Sequence, residues 1–232
     1  MNILTIKNLD IWYTQNKNII ENLSLEIEDN QIIGLIGLNG AGKTTLFNTI
    51  CGIHDKYKCD EIFYCDKKIT FDNNNFKHDR FIMFSEDESF QYFTFEEYLS
   101  YTFKCYNKKI NYDEINDLCE KLNFTEYRQT LIRKLSLGNK RKVHLIVGLA
   151  LHNKILILDE PFNGIDFECT EELYTLLKEY KKYGTIIFSS HILETICLIT
   201  DTILFLQDGK IVKTFDIKEK TIEDIREEIK NV

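Results

Sequence analysis

The chain has 232 residues, enough for one substantial core and too few for two independent enzymes, since single domains run to roughly 250 residues. Hydrophobic residues make up 44% and charged residues 28%, with 16 Phe and 12 Tyr, a balance that excludes a disordered chain. Its net charge of −8, from 29 Lys plus Arg against 37 Asp plus Glu, argues against bulk nucleic acid as a partner, which requires a basic surface.

No apolar run approaches the roughly 18 residues of a membrane helix; the stretch from Val143 to Leu151 is broken by His144. The opening residues Met1 to Thr5 lack the basic start and apolar centre of a signal peptide, so the chain is expected to stay inside the cell. Seven cysteines, an odd number with no Cys-x-x-Cys pair, read as reduced thiols, with a disulfide or zinc site as the lesser alternative. No metal cluster is expected.

In chain order, Ile3, Leu4, Ile6, Ile11, Trp12 and Tyr13, then Leu23, Leu25 and Ile27 alternating with Ser24 and Glu26, predict an antiparallel sheet. The segment from Gln31 to Ile36 reads as a buried strand entering a glycine-rich turn, and Thr44 to Ile50 as the helix that follows. A hairpin is expected from Ile62 to Phe71, with Asp66-Lys67-Lys68 between its strands. From about Glu88 to Leu151 the pattern is helical, with a capping box at Thr94 to Glu97 and a cap at Asn111 before Ile115, Leu118, Cys119 and Leu122. Apolar strands at Ile155 to Leu158 and Thr185 to Phe188 flank a helix carrying Leu173, Leu176, Leu177 and Tyr180, closed by Gly184. This is βαβ wiring and predicts a parallel sheet. Asp208-Gly209 predicts a hairpin, and Thr221 to Lys230 a charged terminal helix.

Three segments carry chemistry. The run Gly37-Leu38-Asn39-Gly40-Ala41-Gly42-Lys43-Thr44 has the spacing of a phosphate loop between a strand and a helix. Its glycines let backbone N–H groups turn inward around phosphate oxygens, and the helix start adds its positive end. Gly37, Asn39, Gly40, Ala41, Gly42, Thr44 and Thr45 are the expected nucleotide contacts. Lys43 would hold the β and γ phosphates, and the Thr44 hydroxyl would bind Mg²⁺. Asp159 and Glu160 end a buried strand, at the sheet edge where open α/β folds bind ligands; Asp159 would orient the magnesium, and Glu160 would act as general base toward water. A helix cap is the alternative for that acidic pair. His191 ends the next strand and would emerge on the same edge, while His54, His78, His144 and His152 read as structural.

With these motifs in this order, the chain resembles the ATP-binding subunit of ATP-binding-cassette (ABC) transporters over essentially its whole length. Leu135-Ser136-Leu137-Gly138-Asn139 is similar to the family signature Leu-Ser-Gly-Gly-Gln, Asn163-Gly164-Ile165-Asp166 to its D-loop, and Ser189-Ser190-His191 to its switch histidine. The resemblance implies a P-loop NTPase (RecA-like) α/β fold: a parallel sheet core, an N-terminal antiparallel β subdomain and an inserted α-helical subdomain. On that reading residues 1–232 form one ABC ATPase domain, with 1–87 and 152–232 as the nucleotide-binding core and 88–151 as the helical insertion.

The same resemblance implies ATP and Mg²⁺ as cofactors, Tyr13 as the aromatic that stacks on adenine (Trp12 is the alternative), and Ser136, Gly138 and Asp166 as nucleotide contacts. Each ATP would sit between the phosphate loop of one chain and the signature of a second ABC subunit, in a homodimer or heterodimer. A separate transmembrane permease, at the cytoplasmic face of the membrane, would take up the motion. Glu86 stands where the family usually has a magnesium-contacting Gln, with Asp87 as the alternative register. The basic first turn Lys140-Arg141-Lys142 would either face an anion or form a solvated face. Likeness to exporter cassettes for drugs, bacteriocins and amphipathic peptides suggests export; a soluble ABC-type ATPase and a small-molecule kinase are the competing classes.

Overall fold

The computed structural model describes residues 1–14 and 17–231. Strands β1 (Asn2–Thr14) and β2 (Lys17–Glu28) pair antiparallel, and β2 buries Leu23, Leu25 and Ile27 while exposing Ser24 and Glu26. A period of two with one covered face is the pattern of an antiparallel sheet. After β3 (Ile32–Ile36) and α1 (Lys43–Ile50) the chain returns to that sheet in β4 (Tyr57–Lys58), β5 (Glu61–Tyr64) and β6 (Lys67–Lys68). The hairpin is tighter than the sequence predicts. Cys65 and Asp66 both take left-handed φ, +47° and +61°, so they alone form the turn, and Lys67-Lys68 becomes strand while Ile69 to Phe71 does not.

Helix α2 (Asn74–Asp79) leads into β7 (Arg80–Met83), and both escaped the sequence reading. β7 is only four residues long and begins with an arginine, yet Arg80 is buried and donates to the carbonyls of Cys51 and Phe71 at 2.6 and 3.0 Å. Helices α3 (Phe95–Cys105), α4 (Tyr112–Lys121) and α5 (Leu137–Ala150) follow. Thr94 and Glu97 form the predicted capping box on α3, and Asn111 caps α4; caps of this kind contribute about 1 kcal/mol each.

The remaining elements are β8 (Ile155–Leu158), α6 (Phe167–Tyr180), β9 (Thr185–Ser190), α7 (Leu193–Ile199), β10 (Thr202–Gln207), β11 (Lys210–Asp216) and α8 (Ile222–Lys230). They complete a second sheet of order β11-β10-β3-β9-β8-β7, parallel except for the β10–β11 hairpin at Asp208-Gly209. Strands β3, β8 and β9 are buried on both faces, as parallel strands are. Ile155 and Ile157 join the core shared with the antiparallel sheet and α1, whereas Leu156 and Leu158 join the core shared with α3, α4 and α5. Each such side chain stabilises the fold by about 1.5–3 kcal/mol. Gly184 does not close α6 by a left-handed turn. It is required because a Cβ there would stand 2.5 Å from the Lys154 carbonyl oxygen.

Candidate nucleotide site

The turn from Gly37 to Gly42 joins β3 to α1, and its geometry follows from its glycines. Gly42 caps α1 with φ +107°, and a Cβ on it would stand 2.8 Å from Ile20 Cδ1. No side chain caps α1 and its first turn holds no acidic residue, so its leading N–H groups are free to receive an anion. Lys43 is buried; its Nζ donates to the carbonyls of Gly37 at 2.7 Å and Leu38 at 3.4 Å, and lies 3.7 Å from Glu160 Oε1. The ammonium so held forms part of the wall of a hollow. That hollow has a volume of about 380 Å³ and includes Tyr13, Gly40, Lys43, Thr44, Thr45, Asp159 and Glu160 in its wall. A larger one of about 920 Å³ lies on the other side of the loop against Ile229 and Lys230. It includes Gly37 to Ala41 and His191 but neither Lys43 nor the two carboxylates, which makes the smaller one the candidate for the phosphates.

At the end of β8 the two carboxylates have different surroundings. Asp159 is 1% exposed; its Oδ2 accepts from Thr44 Oγ1 at 2.7 Å and its Oδ1 from Ser189 Oγ at 2.6 Å. Thr44 and Asp159 thus offer adjoining hard oxygen donors, a set that suits Mg²⁺ with phosphate and water completing its shell. Glu160 takes φ +52°, which is strained for a residue with a side chain. Its N–H donates to Ser189 Oγ at 2.9 Å and its carbonyl accepts from Arg141 Nε at 3.2 Å. The carboxylate turns back over the cleft, with Oε2 3.1 Å from His191 Nδ1 and 3.5 Å from Asn163 Nδ2. A carboxylate so placed, between the Lys43 ammonium and an imidazole, can accept a proton from water at the phosphate end of the cleft.

Tyr13, not Trp12, faces this cleft. Its hydroxyl lies 3.3 Å from Thr45 Oγ1, its ring packs 4.6 Å from that of His54, and 48% of it is exposed. Trp12 offers its carbonyl to His54 Nε2 at 2.9 Å. Glu86 is exposed and stands outside the cleft wall, whereas the neighbouring Ser85 is part of it. Asp87 accepts from the Ser89 N–H.

Ser136 and Gly138 lie apart from the chain's own phosphate cleft. Ser136 is an exposed N-cap of α5, accepting from the Asn139 N–H at 3.3 Å. Gly138 rests on the D-loop: a Cβ there would meet the Gly164 carbonyl oxygen at 2.2 Å. Lys142 Nζ pairs with Asp166 Oδ2 at 3.1 Å. The Asp166 carboxyl is held down at about 2, first by the Cys169 N–H and then by the Cys169 and Lys142 side chains. Lys140-Arg141-Lys142 is therefore not a solvated basic face. Arg141 and Lys142 are 7% and 4% exposed and are bound internally, to Glu160 and Asp166.

Ser189 and Asn163 were part of motifs the sequence made visible, but the contacts they make were not. Ser189 lies two residues before His191 near the end of a strand, so period-two spacing could have pointed to it. Arg141 had no such signal.

The chain matches the ABC transporter family profile over residues 20–163. It is 34% identical over 234 residues to an ABC transporter ATP-binding protein of Bacillus subtilis, AlbC, covering 98% of this chain and 97% of that one. It is 29% identical over 214 residues to the ABC-type transporter ATP-binding protein EcsA of the same species, covering 91% and 86%. Among solved structures, the ATP-binding subunit of an ABC transporter superposes with a TM-score of 0.82 at 24% identity, covering 98% of this chain and 93% of that one. The chain belongs to the ABC transporter family as an ATP-binding subunit, an ATPase that uses ATP with Mg²⁺.

Proposed function

We propose that the chain hydrolyses ATP at the Lys43–Asp159–Glu160 cleft and uses the cycle to drive a membrane exporter, with a drug or peptide as cargo. The observation that carries the site assignment is the convergence of Lys43 and His191 on one carboxylate, that of Glu160. Thr44 and Asp159 would hold Mg²⁺, which when bound would neutralise charge on the phosphates. Lys43 and the N–H groups of Gly40 to Thr45 would grip the phosphates, and Tyr13 would cover the base. Glu160 would take the proton of the attacking water, and His191 would keep its carboxylate turned toward that water.

The exposure of Ser136, away from the chain's own cleft, supports a site shared with a second ABC subunit. In that arrangement the signature turn of one copy closes on nucleotide held by the other, and the dimer opens after hydrolysis. Residues 88–151 would relay this motion to the permease, with 1–87 and 152–232 as the nucleotide-binding part. No helix among the described residues is long and apolar enough to cross a membrane. The direction rests on the likeness of Ser136 to Asn139 to exporter cassettes. Import is the second reading, favoured by 32% identity to a ribose import ATP-binding protein of Clostridium tetani over 96% of this chain and 46% of that one.

Light scattering with and without ATP tests the shared site. A Glu160→Gln chain is expected to double in mass with ATP, and the same chain carrying Ser136→Arg is expected to stay monomeric. Equal masses would remove the proposed dimer. Reconstitution with the co-purified permease tests direction: dependence of uptake on a separate solute-binding protein would replace export by import.

A further inference from the structure

Glu160 is a strained residue whose two backbone polar atoms are held by side chains from two other elements. Ser189, on β9, accepts its N–H, and Arg141, on the signature helix α5, donates to its carbonyl. The Asn163 N–H reaches the same carbonyl at 3.4 Å. A non-glycine residue with φ near +52° is strained and persists only where its surroundings over-determine it.

Arg141 is itself expensive to keep. It is more than nine-tenths buried, its Nη1 has no hydrogen-bond partner among the described residues, and burial pushes its pKa down against the opposing pull of Glu160, Asp159 and Glu86. An unpaired buried N–H is destabilising, and an apolar side chain of similar volume would pack there more cheaply. Cost without structural return points to function.

We propose that Arg141 is a positioning residue that, with Ser189, clamps the Glu160 peptide in its left-handed conformation and so ties the aim of the Glu160 carboxylate to the position of the signature helix. The inference rests on the reading of Glu160 as general base. Arg141 holds the Glu160 carbonyl and acts on hydrolysis through the peptide it positions. A shift of α5 would carry the clamp with it and turn the carboxylate toward or away from Lys43 and His191.

The test compares Arg141→Met and Arg141→Lys with the native full-length chain. In Arg141→Met, hydrogen exchange at the Glu160 and Asn163 amides is expected to quicken about tenfold or more while exchange in α1 stays unchanged. Turnover is expected to fall about tenfold or more with the KM for ATP within about twofold, because the phosphate grip is untouched. The melting temperature is expected to hold or rise. Arg141→Lys, keeping one N–H donor, is expected to recover part of both the exchange protection and the turnover. Unchanged exchange at Glu160 and Asn163 would overturn the proposal. So would loss of melting temperature and ATP affinity together with turnover, which is the signature of a merely structural arginine. Absence of ATP hydrolysis by the native chain would count against the general-base reading alone, because the exchange measurement decides the clamp without it.

Discussion

The Thr44 hydroxyl donates to Asp159 across 2.7 Å, joining the first turn of α1 to the end of β8, two segments separated by 115 residues of sequence. Both are oxygen donors, and the bond aligns them before any cation arrives. Replacing Asp159 by Asn keeps the shape but removes the charge. The expected result is a rise of about 10- to 100-fold in the magnesium concentration that half-saturates hydrolysis, read from ATPase rates over a metal titration; an unchanged midpoint would remove Asp159 from the metal site.

Lys43→Ala takes away the ammonium buried against the phosphate loop. Charge-assisted hydrogen bonds contribute about 1.5–3 kcal/mol, so ATP affinity should fall on the order of 10- to 150-fold. Calorimetric titration measures this directly, and native affinity would contradict the assignment.

Glu160→Gln preserves size and the contacts of the Glu160 backbone but cannot accept a proton. Steady-state hydrolysis should drop about 10²- to 10⁴-fold, while ATP binding persists. Phosphate release at the native rate would transfer the base role to another group.

Gly138→Ala places a methyl group 2.2 Å from the Gly164 carbonyl oxygen, a contact with backbone that cannot swing aside. Overpacking of this kind costs about 1–3 kcal/mol. Urea denaturation should show that loss, and an unchanged midpoint would mean that the D-loop yields to the added methyl group.

His144 is buried on α5, with Nδ1 3.0 Å from the Tyr98 hydroxyl, and burial lowers its pKa from 6.5. The folded state thus favours neutral imidazole. Its contribution is present above about pH 6.5 and declines as pH falls, because the unfolded chain then binds the proton more readily. The melting-temperature gap between native chain and His144→Gln should therefore narrow below pH 6.5 in a pH series of thermal scans.

Much of this architecture was readable before folding because it is encoded over short spans. Gly37 to Thr44 carries its own turn, cation and hydroxyl, and Ile155 to Glu160 carries a strand and the carboxylates at its end. What stayed hidden depends on distant partners. Arg80 looks like a solvent residue until Cys51 and Phe71 offer it carbonyls, and so β7 went unseen. Arg141 and Lys142 look like a basic surface until Glu160 and Asp166 fold against them. The Cys65-Asp66 turn was obscured because neither residue is glycine, although both occupy glycine's region of φ.

Gly138 and the Gly164 carbonyl leave no backlash between the signature turn and the D-loop, and Lys142 bolts the same two segments together one helical turn further on. Displacing one must drag the other, and Glu160 is only four residues upstream of Gly164. In a dimer of the kind proposed, a subunit could not lend its signature to its neighbour's nucleotide without disturbing its own hydrolytic centre.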